Sequence, residues 1–210
     1  MNKEKVNLLK AYNMLLYFAG SMIMKEPTDE CIYDFWTKGT LKNLPVKSSN
    51  PRFIKAASIL RESCNDKDTC RVKLIRDFHR LFDKRGPRLA PACESEYLSS
   101  TDNTKGPGVS AGDYYRLYGW NPGQKFNVPY DHLGILLLFL TQLTDKLIIL
   151  DDEPCTREMQ NEIRRFIDLH ILSWIPEWNE DMQLNAQSDC YKGIGNLIYA
   201  SIEDISSILS

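Results

Sequence analysis

The segment from Val128 to Leu150 limits what this chain can fold into more than any other. It reads Val-Pro-Tyr-Asp-His-Leu-Gly, then Ile135-Leu-Leu-Leu-Phe-Leu140, then a more dilute apolar run. Pro129 suits the first position of a helix, and Asp131 then falls in the first turn, where a carboxylate favours the positive end of the dipole. Apolar side chains follow on nearly every side, so the helix is expected to be buried on most faces. The pattern predicts a central helix whose polar entrance is the pair Asp131–His132. Thr141, Gln142, Thr144, Asp145 and Lys146 interrupt its second half, and no window reaches the roughly 20 apolar residues of a membrane span.

With 210 residues, 43% hydrophobic and 26% charged, the chain has enough apolar material for one large helical domain over its whole length. A net charge of −2 and the absence of a basic block argue against nucleic acid as the partner. The opening Met1-Asn-Lys-Glu-Lys carries mixed charge and precedes no small-residue cleavage site, so no secretory signal is read there. Six cysteines without a Cys-x-x-Cys pair then imply reduced thiols in a cytoplasm.

Along the chain, Val6, Leu9, Tyr12, Leu16, Ala19 and Ile23 predict a helix over 3–25, ended by Pro27. Thr28 and Asp29 cap a short helix that stops at Gly39, and Asn50-Pro51 opens another through Leu60. Asp66 or Asp68 starts a helix carrying Phe78, Leu81 and Phe82, with Lys84 and Arg85 at its end. Residues 86–112, broken by proline and glycine, read as a long functional loop with one turn at Glu94–Leu98. Ser110 with Asp113 resembles a capping box ahead of Tyr114, Tyr115 and Tyr118. Thr156 is expected to cap a helix running to Trp174 and stopping before Pro176, with a short turn around Trp178; Ser188 opens the last helix. No strand pattern stands out, and the fold class is an all-α helical bundle.

Chemistry is thinly signalled. Adjacent residues on a helix diverge, so Asp131 and His132 do not make a dyad with each other, and no nucleophile stands at a completing spacing. Cys64, Cys70 and His79 match no zinc pattern. The run Lys105-Gly-Pro-Gly-Val-Ser-Ala-Gly112 lacks the Lys-Ser/Thr ending of a phosphate loop and follows no strand. His170, on an apolar helix face, reads as a hydrogen-bonded core residue. Trp36, Tyr97, Tyr114, Tyr115, Tyr118, Trp120 and Tyr130 gather beside loops, and those between 86 and 130 would form an apolar, adaptable wall of the kind peptide grooves use.

Four ordered motifs resemble the TorD/DmsD/NarJ family of maturation chaperones for molybdenum-cofactor redox enzymes. They are Phe78-x-x-Leu81-Phe82 before Gly86-Pro87; Ala90-Pro91-x-x-Glu94-Ser95-x-Tyr97-Leu98; Tyr115 and Gly119 ahead of Pro129-x-Asp131-His132-Leu133-Gly134; and Phe166-x-x-x-His170-x-x-x-Trp174-x-Pro176 with Tyr191. The resemblance implies a TorD-like helical bundle without catalysis or a cofactor of its own. It implies a partner as well: the leader peptide of an apo molybdopterin-dependent reductase, often a twin-arginine one, held until the cofactor is inserted. Monomer and domain-exchanged dimer are both open, without stable membrane insertion. By the same likeness the leader site comprises Asp131, His132, Pro129, Leu133, Glu94, Ser95 and Tyr97, with Tyr115 and Trp120 from the aromatic wall. Leu136 and Leu138 stand where family members commonly carry Glu, which leaves fewer countercharges for two arginines. Two other readings compete: a small hydrolase or nucleotide-processing enzyme using His132 or His170 with a carboxylate, and a structural subunit with Ile135–Leu140 in a permanent interface.

Overall fold

Most of the helices begin where a polar side chain satisfies amides that the first turn leaves without a partner. In the computed structural model, which describes residues 1–39, 41–64, 66–83, 88–98, 110–122 and 126–210 (without the side chains of 35–37 and 67), Asn2 accepts from Lys5 N to start α1, Lys3–Met24. Thr28 caps α2, Asp29–Thr37; Asn50 caps α3, Pro51–Glu62; and Asp66 caps α4, Lys67–Phe82. After the single turn α5, Glu94–Tyr97, a reciprocal Ser110–Asp113 capping box opens α6, Ala111–Leu117. The chain continues through α7, Leu133–Ile148, α8, Glu153–Ile167, a π-helical segment Asp168–Leu172, α9, Ile175–Asn185, and α10, Asp189–Ile208. Among the described residues the backbone is helical, with one isolated antiparallel bridge, Cys93 to His132. The readings placed on Trp36, Lys84–Pro87 and the run 99–109 lie outside the described residues.

The packing order is α3 on α10, α10 on α1, α1 on α7 and α7 on α8, with α9 against α10 and α2 against α4. Leu9, Leu16, Leu74, Phe139, Phe166, Trp178 and Ile198 are among the side chains fully buried between them. Helices α1 and α7 approach closely at Gly20 and Gly134: a Cβ on Gly134 would stand 3.1 Å from the Gly20 carbonyl oxygen. Helix α7 is buried on most faces, as its composition predicts, and α10 matches it. Of Ile135–Leu140 all but Leu138 are buried within this chain, so that apolar stretch is already covered by its own neighbours.

Four local expectations are corrected. Helix α7 starts at Leu133, not at Pro129, because residues 129–132 turn back on themselves, His132 N donating to the Pro129 carbonyl, and His132 becomes the cap. Helix α8 is capped by Asp152, with Pro154 in its first turn; the Thr156 hydroxyl donates to the Asp152 carbonyl instead. Pro176 opens α9 rather than terminating a helix, since a proline in the first turn loses no hydrogen bond, and Trp178 sits inside this helix of 11 residues. The cysteines are not all thiols: Cys64 and Cys70 pair in a disulfide across the α3–α4 connection.

Candidate functional site

A four-residue helix has no stability of its own, and α5 is held by its neighbours. Residues 88–93 lead into it pinned to the end of α4, with Leu89 N and Ala90 N donating to the carbonyls of Arg80 and Leu81. Asn185 Nδ2, on α9, donates to the Leu89 carbonyl. The segment then runs antiparallel to the entrance of α7: Leu133 N donates to the Ala92 carbonyl at 2.7 Å and Glu94 N to the Asp131 carbonyl at 3.0 Å. Cys93 precedes α5 without a capping side-chain bond, and the Asp131 carboxylate, from the other segment, accepts from Ser95 N at 3.0 Å. Asp131 therefore sits not in the first turn of α7 but at the N-terminus of α5, where its charge still meets a helix dipole.

Behind this junction the side chains are buried. His132 is 6% exposed, and its Nδ1 accepts from Gly134 N at 3.1 Å, so the ring closes the first turn of α7. The Tyr115 hydroxyl, on α6, donates to the Tyr130 carbonyl at 2.9 Å and grips the 129–132 turn from inside. Burial first, then the nearby carboxylates of Glu94 and Asp131, push that hydroxyl's pKa far above its ordinary value. Tyr115, Trp120, Tyr118 and Phe139 form one aromatic cluster, with Trp120 4.9 Å from Tyr115 and 5.3 Å from Phe139.

On its other side α5 meets the π segment and α9. The Glu94 carboxylate lies 3.1 and 3.2 Å from His170 Nδ1. Tyr97 stacks on Trp174, centroids 5.3 Å apart, and its hydroxyl donates to Asp181 at 2.9 Å. Burial and Asp181, in that order, raise the Tyr97 hydroxyl's pKa, and Glu177 and Glu96 add to the effect, which places several carboxylates on this side. Arg88 pairs with Glu96.

The structure thus gathers the nine predicted residues around one junction but at different depths. Ser95 is exposed, and Pro129, Asp131 and Trp120 are half-buried, within reach of a partner. Leu133 and Tyr115 are core, His132 is nearly so, and Glu94 and Tyr97 turn toward His170, Trp174 and Asp181. Sequence reasoning missed Asp181, placed the exposed Tyr130 in the aromatic wall without counting it in the leader site, and read His170 as a core residue without finding its partner. Tyr130 alone had a local signal, an aromatic inside the Pro-x-Asp-His motif.

The other candidates dissolve. Cys64 and Cys70 are bonded to each other, His79 lies between Glu26 and Asp83, and among the described residues no group of side chains could hold a metal. No helix of the described residues is long and apolar enough to cross a membrane. His170 does pair with a carboxylate, as a hydrolase would need, yet its ring is packed against Tyr114 and Phe166.

The fold is all-helical among the described residues, and the groups at the junction shape a surface turn rather than activate a nucleophile. The chain belongs to the family described as nitrate reductase delta subunit, whose profile matches residues 50–180. It is similar to the chaperone protein TorD of Vibrio vulnificus, 26% identical over 184 residues, 82% of this chain and 84% of that one. It is also similar to the chaperone protein TorD of Shewanella amazonensis, 24% identical over 155 residues, 63% of this chain and 61% of that one. These relatives are named as chaperones, and the chain is classed with them rather than with enzymes.

Proposed function

We propose that this protein is a cytoplasmic assembly chaperone that binds the N-terminal leader of an apo molybdopterin oxidoreductase and delays export until the cofactor is inserted. The observation that carries the reading is the Asp131–Ser95 junction. It sets a half-buried carboxylate at the surface, flanked by the exposed ring of Tyr130 and backed by the aromatic cluster around Tyr115. A leader offers a basic start followed by an apolar helix-forming stretch, and a carboxylate beside aromatic rings complements both. Leu136 is buried and Leu138 half-buried, so neither supplies the charge that Glu would. A leader with one or two basic residues is therefore the class expected, a twin-arginine leader being its more basic form.

Calorimetry with a synthetic leader (an Arg-Arg pair followed by an apolar helix-forming segment) tests this directly. Asp131→Lys is expected to weaken binding more than about tenfold, roughly 1.4 kcal/mol, with the fold kept. Asp131→Asn, which retains an acceptor for Ser95 N, separates the charge from the hydrogen bond. Affinity unchanged in both variants removes Asp131 from the site, and no binding by the unaltered protein overturns the reading.

A further inference from the structure

His170 holds α5 at both of its ends. Its side chain reaches Glu94, the first residue of the turn, through Nδ1, within hydrogen-bond distance of both carboxylate oxygens. Its carbonyl accepts from Trp174 Nε1 at 2.6 Å, which orients the indole on which Tyr97, the last residue of the turn, is stacked. Among the described residues the imidazole has no other polar attachment: Nε2 is buried without a hydrogen-bond partner there, and the ring lies against Tyr114 at 5.4 Å and Phe166 at 5.3 Å. The side chains of His170 and Glu94 are 6% and 16% exposed, so their bond is not one that water readily replaces. His170 also belongs to the π-helical segment, a departure from α-helix that recurs where a side chain or carbonyl must be re-aimed for function.

From this geometry we infer that His170 is a positioning residue for the leader site: through Glu94 and Trp174 it fixes where Ser95 N stands, and so where the Asp131 carboxylate is presented. The inference rests on the leader-binding reading, and extends the site to a buried residue that never touches the leader. Glu94, counted from the sequence as a contact, acts here as the link.

The test compares His170→Phe, which keeps the ring packing and removes the bond, with His170→Asn, which keeps a donor. The probe is the synthetic Arg-Arg leader, titrated also into Asp131→Asn and the double variants. His170→Phe is expected to weaken binding about tenfold and His170→Asn to restore it to within about threefold. In the Asp131→Asn background His170→Phe should cost little more, since the two act as one unit. In the unliganded protein, Ser95 amide exchange should accelerate about tenfold in His170→Phe while amides inside α7 and α10 keep their rates. Wild-type affinity in His170→Phe, no rescue by Asn, or an unchanged Ser95 rate overturns the inference. If the unaltered protein ignores the probe, the leader reading fails and the positioning role with it, whereas an accelerated Ser95 amide would then leave only a structural tie. Should His170→Phe not fold, Glu94→Ala removes the same bond from the surface side, with the same loss of affinity, the same Ser95 acceleration and no added effect of His170→Asn expected.

Discussion

Asp77 and Ser188, 111 residues apart, meet where α4 packs against the start of α10: the Ser188 hydroxyl donates to Asp77 Oδ2 at 2.8 Å and the Ser188 N–H at 2.7 Å. The same oxygen accepts from Gln187 N, and Arg80 donates to Oδ1, which satisfies a carboxylate only 1% exposed. Asp77→Ala leaves the buried Ser188 amide and hydroxyl and the part-buried Gln187 amide without an acceptor, and is expected to cost about 3 kcal/mol in urea unfolding. A loss below roughly 1 kcal/mol would mean that water takes over the role.

The two glycines at the α1–α7 crossing should respond oppositely. A Cβ on Gly134 would stand 2.2 Å from Met24 Cγ and 3.1 Å from a backbone oxygen, whereas one on Gly20 would meet its nearest atom at 3.6 Å, an ordinary contact. Gly134→Ala should therefore lose about 1–3 kcal/mol through overpacking. Gly20→Ala should be neutral, or gain up to about 1 kcal/mol from helix propensity. Thermal unfolding of the two variants side by side decides it, and equal melting temperatures would contradict the close crossing.

Alkaline pH should weaken the fold in a defined window. Burial pushes the Cys190 thiol up from the ordinary 9.0 to about 12. The unfolded chain thus ionises this thiol first, so its stabilising effect is complete below pH 9 and is lost as pH rises toward 12. Burial raises the hydroxyl pKa values of Tyr191, Tyr115 and Tyr97 as well, which adds in the same direction above about pH 10. Stability measured against pH should begin to fall near 9, and Cys190→Ala should flatten the first part of that slope. An identical slope in the variant would assign the decline to the tyrosines.

Tyr115→Phe removes the hydroxyl that grips the Tyr130 carbonyl but keeps the ring among Trp120 and Phe139. Stability is expected to drop by about 1 kcal/mol. If the 129–132 turn presents Asp131 to a leader, affinity for the Arg-Arg probe should fall by roughly threefold to tenfold as well. Full affinity with reduced stability would confine Tyr115 to the core.

Local chemistry was legible along the chain. Asn50-Pro51, the Ser110–Asp113 box and Ser188 cap the helices that their residue types predict, because a capping bond spans only two or three residues. The same local rules misled at proline, which is equally at home in a first turn and in a loop. Pro129 was read as a helix start when the chain stays non-helical until Leu133, and Pro176 as a stop when it opens α9. In the first case the deciding interaction is nonlocal: the entrance of α7 is paired with residues 92–94, so it does not coil until that pairing ends.

By itself, then, the amino-acid order determined an all-helical chain, its buried α7, the motif residues to watch and the family they resemble. Only the tertiary structure decided what those residues do to one another, because nothing local ties Glu94 to His170, 76 positions on, or Ser95 to Asp131, 36 positions on. Hydrophobic periodicity records which face of a helix is buried, but not which buried polar group finds which partner. That pairing is settled by packing, when desolvation makes an unpaired group costly.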